Sequence, residues 1–64
     1  MINNNDIIRR IRYTFDLKDS KMIDIFSLAD YQVTRAAVSN WLKKPGDPYY
    51  VELPDYELSI FLNG

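Results

Sequence analysis

The sequence predicts an all-α fold: one small four-helix domain over residues 1–64 with a helix-turn-helix-like central pair. Three observations carry that reading. Apolar residues recur at i, i+3, i+4 spacing in four separate stretches. Each stretch is bounded by residues that cap or break helices, such as Thr34, Pro45-Gly46 and Pro54-Asp55. The single extended apolar stretch, Tyr49-Tyr50-Val51 with Leu53, has no second strand to pair with, so it is not read as a strand.

The first helix is expected near 5–14. Met1 to Asn5 is polar and reads as a loose lead-in, with Asn4 or Asn5 as the cap and Asp6 favoured by the helix dipole in the first turn. Ile7, Ile8, Ile11 and Phe15 form the apolar stripe, and Asp6 with Arg10 forms an i,i+4 pair. Arg9, Arg10 and Arg12 lie off the stripe, as a solvated face or as phosphate contacts. Phe15 to Lys18 is a connection with Leu17 buried. The second helix, near 20–29, takes Asp19 or Ser20 as its cap. Met22, Ile23, Ile25, Phe26 and Ala29 give it the widest apolar face. Asp30 opposes the dipole at that helix end, which is explained if it turns the chain in a left-handed conformation.

The third helix is the centre of the reading. Thr34 is its N-cap, and it runs over 35–44 until Pro45-Gly46 stops it. Val38, Trp41 and Leu42 share its inner face; Ala36, Ser39, Asn40 and Lys43 face outward. Pro45-Gly46-Asp47-Pro48 is a turn-rich loop. The last helix, near 55–63, starts with Pro54 at its first position and ends at Asn63-Gly64, with Leu58, Phe61 and Leu62 inward. The expected core is Ile8, Ile11, Ile23, Phe26, Val38, Trp41, Leu42, Leu58 and Phe61.

Composition narrows the function. Without cysteine or histidine there is no thiol nucleophile, no imidazole base and no usual zinc or transition-metal ligand set, so the chain reads as a non-enzyme without cofactor, metal or small-molecule substrate. Glycine occurs only at Gly46 and Gly64, which leaves no phosphate-binding glycine loop. Asp47, Glu52, Asp55 and Glu57 are the remaining candidates for Mg²⁺, and they read better as helix-start and loop charges. No apolar run approaches a membrane span, and the N-terminus lacks the pattern of a secretory signal. A cytoplasmic location is expected.

Three segments carry a resemblance: N-D-I-I-R-R-I-R-Y from Asn5 to Tyr13, V-T-R-A-A-V-S-N-W-L-K-K at 33–44, and P-D-Y-E-L-S-I-F-L-N-G at 54–64. The chain resembles, over nearly its whole length, the YehS-like family of bacterial domains of unknown function. Its W-L-K and F-L-N-G segments are the most specific. Longer members of that family carry two copies in tandem and continue past F-L-N-G; residues 1–64 are expected to correspond to one such copy. The resemblance implies a fold rather than an activity.

Two binding roles follow. The net charge of −1 hides an asymmetry: Arg35, Lys43 and Lys44 sit in 31–46 without an acid, and Asp47, Glu52, Asp55 and Glu57 sit in 47–64 without a base. The preferred reading is a protein-interaction or self-association module, because a core this small often completes itself with a partner. Tyr31, Tyr49 and Tyr50 would suit such a surface, and Tyr56 and Ile60 are expected to stand uncovered on the last helix. A homodimer through that helix is expected, with the acidic segment of one chain against the basic helix of the other. The alternative is a nucleic-acid-binding regulatory domain that uses Thr34, Arg35, Ser39, Asn40 and Lys43. Against the common helix-turn-helix pattern, the usual turn glycine is Gln32 and the small residue five before Val33 is Leu28.

Overall fold

The computed structural model describes residues 2–64. It consists of four helices: α1 (Asn4–Thr14), α2 (Asp19–Leu28), α3 (Arg35–Trp41) and α4 (Asp55–Asn63). No strand occurs among the described residues.

The lead-in to α1 is not loose. Asn3, rather than Asn4 or Asn5, is the N-cap: its side chain accepts from the Asp6 amide at 2.9 Å, and the Asp6 carboxylate accepts from the Asn3 amide at 3.2 Å. This reciprocal box satisfies two of the amides that a helix start leaves without partners. The other Asp6 oxygen pairs with Arg9, three residues on, at 2.8 Å, instead of with Arg10. The two asparagines freed from capping bind elsewhere. Asn4 donates to the Leu53 carbonyl and to Asp55. Asn5 is 1% exposed and fully engaged: it donates to the carbonyls of Trp41 (2.9 Å) and Val51 (2.8 Å) and accepts from the Leu53 amide (2.9 Å).

The first two helices end in the same way. After α1, Leu17 N–H reaches the Arg12 carbonyl (2.9 Å), Asp16 N–H points to the Tyr13 carbonyl (3.3 Å), and Asp16 has φ 52°. After α2, Tyr31 N–H reaches the Phe26 carbonyl (3.1 Å), Asp30 N–H reaches the Ser27 carbonyl (2.9 Å), and Asp30 has φ 57°. Both are Schellman caps with an aspartate where glycine is usual. Asp30 was expected to be left-handed; Asp16 is a second case. At its start, α2 takes Lys18 as the N-cap residue, with no side-chain cap. Asp19 therefore lies in the first turn, 3.7 Å from Arg12, and neither it nor Ser20 caps the helix.

Thr34 caps α3 as expected, accepting from the Ala37 amide at 3.0 Å. The helix is shorter than expected, stopping at Trp41 rather than at 44. Its last carbonyls find partners outside the helix: Asn5 takes that of Trp41, and the Val51 amide donates to that of Asn40 at 3.3 Å. Pro45, which has no N–H to offer the Trp41 carbonyl and disfavours helix at Lys44, keeps α3 from running to 44. Pro54 is the N-cap residue of α4, one position before the helix.

The core is built on Phe26, whose ring lies 5.1 Å from Phe61, 5.6 Å from Trp41 and 5.9 Å from Tyr31. Ile8, Met22, Val38, Trp41, Leu53, Leu58 and Phe61 are buried around it. Ile11, Ile23 and Leu42, expected inside, are only half-buried and pack against this core from its edge. Met22 takes the inner place on α2 because it lies one turn before Phe26 on the same face. Leu53 takes another because the hydrogen bonds of Asn4 and Asn5 hold its backbone against α1. Leu62, also expected inside, is exposed.

Candidate interaction surfaces

At the end of α3 and just beyond it the structure gathers part of the predicted polar face. Lys43 Nζ lies 3.1 Å from both Ser39 Oγ and Asn40 Oδ1, and all three residues are half-buried. Arg35 and Ala36 are exposed, and Thr34 is exposed with its oxygen committed to the cap. The connection from α2 spans 29–34, six residues against the three or four usual in a helix-turn-helix. The helix itself covers seven residues, a length of about 10 Å. The α1 arginines divide: Arg9 is tied to Asp6, Arg12 lies beside Asp19, and Arg10 is exposed.

The two residues expected to stand uncovered on α4 differ. Tyr56 is 62% exposed, whereas Ile60 is half-buried and packs against the core. Tyr31 is not a free surface aromatic. Its hydroxyl donates to Glu57 at 3.0 Å, and this bond, reinforced by burial, pushes its pKa up to about 12. Tyr50 is half-buried and its hydroxyl accepts from Asn3, while Tyr49 is exposed. Three of the four acidic candidates are similarly occupied: Asp47 accepts from the Tyr49 amide, Asp55 from Asn4 and Glu57 from Tyr31, while Glu52 is exposed. No group of three or more carboxylates forms among the described residues.

An apolar groove lies beside the end of α4. Ile11, Phe15 and Leu17 at the end of α1, Ile25 of α2, and Phe61 and Leu62 of α4 line an open groove of about 500 Å³. Gly64 also lines it. A Cβ there would collide with the Ile25 carbonyl, so the absence of a side chain lets the end of α4 meet the α2 backbone. Phe15 and Leu62 border the groove at 68% and 60% exposure. The sequence reading missed this site because both residues continue a helical stripe and were assigned inward. Phe15 follows Ile11 by four residues, but it is the C-cap of α1, and the left-handed Asp16 after it redirects the chain.

Among the described residues no helix is long and apolar enough to cross a membrane. No solved structure matches the chain. It is 33% identical, over 61 residues and 95% of its length, to the uncharacterized protein YehS of Escherichia coli (strain K12). The chain spans 39% of the length of that relative. Residues 4–64 match the family described as "Protein of unknown function (DUF1456)", so the match runs from the first residue of α1 to the glycine that lines the groove. This four-helix chain belongs to that family.

Proposed function

We propose that this domain is a non-enzymatic binding module that self-associates through α4 and the surface beside it. The observation behind this reading is the groove bordered by Phe15 and Leu62. Two large apolar side chains beside an apolar concavity are the surface feature that most often marks an interaction site. A second motive is size: a core of this extent contributes about 3–5 kcal/mol at most, so covering the groove adds to the stability of the fold itself. A cytoplasmic setting suits a chain without cysteine. Light scattering over a concentration series tests the reading. A growing molar mass into the micromolar range is expected, and a constant monomer mass at high micromolar concentration would refute it.

Nucleic-acid binding through α3 is the second reading, favoured by the cluster of Ser39, Asn40 and Lys43 near the open Arg35. It requires binding to random duplex DNA at about 50 mM salt that falls steeply as salt is added.

A further inference from the structure

We infer that the groove is the seat of a two-fold homodimer in which Phe15 of each copy enters the groove of the other. This rests on the self-association proposed above and names the surface and the geometry. Three observations lead to it.

The first is shape. A two-fold interface places one patch against itself, so a stable patch must carry both a projection and a recess. Here both belong to one patch. Phe15 is 68% exposed and forms part of the wall of an open apolar groove of about 500 Å³. The second is rigidity. Phe15 is not on a loose loop: its amide donates to the Ile11 carbonyl, and the two cap bonds of Asp16 and Leu17 fix the residues after it. An aromatic side chain carried on backbone already fixed loses less freedom on docking than one on a mobile loop.

The third is charge. The groove residue Leu17 is flanked by Asp16 and Lys18, both exposed and neither in an ion pair among the described residues. One acid and one base, two positions apart beside the projecting ring, are self-complementary about a two-fold axis. Asp16 of one copy faces Lys18 of the other, and the reverse pair forms at the same time. The Tyr56 and Ile60 flank of α4 offers no such arrangement, and Ile60 is already packed on its own core.

The test is the dimer dissociation constant of the full chain, measured by sedimentation or light scattering. Phe15→Ala should weaken it at least about tenfold, as truncation of a central aromatic anchor does. That residue is exposed in the single copy, so the variant should melt like the parent once diluted to monomer. Tyr56→Ala should leave the constant unchanged. Asp16→Asn, which keeps a residue tolerant of the left-handed conformation, and Lys18→Gln should each weaken it a few-fold. The double variant should be no weaker than either single one, because each change removes the same pair. A dimer indifferent to Phe15→Ala, or one sensitive to Tyr56→Ala instead, would overturn this geometry while leaving self-association standing. A parent chain that stays monomeric would overturn both.

Discussion

Replacing Asn5 by alanine should be among the most damaging single changes in this domain, although the position is polar and sits in the first turn of the first helix. The side chain is 1% exposed and makes three hydrogen bonds, to two carbonyls and one amide. Removing it strands those three backbone groups. Each group costs about 1–3 kcal/mol if it stays buried without a partner. Water can reach some of them, because Val51 is itself exposed. A net loss of about 2–4 kcal/mol is therefore expected, most of the roughly 3–5 kcal/mol that a core this small supplies. Urea denaturation followed by the fluorescence of Trp41, the only tryptophan and a buried one, measures the loss directly. Asn5→Asp adds a signature that simple loss of packing lacks. A carboxylate there faces two carbonyls and keeps one donor, so its folded-state pKa rises above the unfolded value near 3.9. The variant should then gain stability as the pH falls from neutral, where Asn5→Ala shows no such gain. An Asn5→Ala chain within about 1 kcal/mol of the parent would refute the argument that this side chain anchors segment 51–53.

Two further perturbations follow from the caps and from Tyr31. Asp16→Gly and Asp30→Gly should each stabilise the chain by about 0.5–1 kcal/mol, since glycine adopts a positive φ without the penalty that aspartate bears; a lower denaturation midpoint would contradict this. Folding should lose stability between pH 10 and about 12. In that window the unfolded Tyr31 has released its proton while the folded one, bonded to Glu57, retains it, so the folded state binds more protons and stability falls as pH rises. Tyr31→Phe should flatten the pH profile there, as read from melting curves across the interval.

Four helices, the Thr34 cap and the left-handed Asp30 were legible in the sequence because each depends on chemistry within a few residues. The rest depended on partners far along the chain. The Trp41 carbonyl at the end of α3, which Pro45 cannot serve, is taken by Asn5, 36 positions away. Three consecutive asparagines look alike as cap residues, and only the structure distinguishes the one that caps from the one that is buried. A clue was present: Asn5 precedes Ile8 by three residues and so shares its inner face. Phe15 and Leu62 failed for a related reason. Helical spacing places a residue on a face, but it does not show where a cap turns the chain or how far a neighbouring helix extends to cover it. Met22 and Leu53 were likewise core residues that spacing alone could not rank above Ile23 and Leu42.

The reach of the Asn5 bonds also bears on the order in which the chain assembles. They join residues 36, 46 and 48 positions apart, whereas α2 and α3 are neighbours in sequence and share the most extensive helix–helix packing. Closing a long stretch of chain carries an entropy cost that near-neighbour contacts avoid. The α2–α3 hairpin is therefore the natural nucleus, with the amino-terminal helix arriving after it. On that order the asparagine is a latch rather than a guide: it contributes little to how fast the domain forms and much to how slowly it comes apart. A buried polar side chain in the first turn of α1 is thus expected to slow unfolding, a role more usually assigned to the apolar interior.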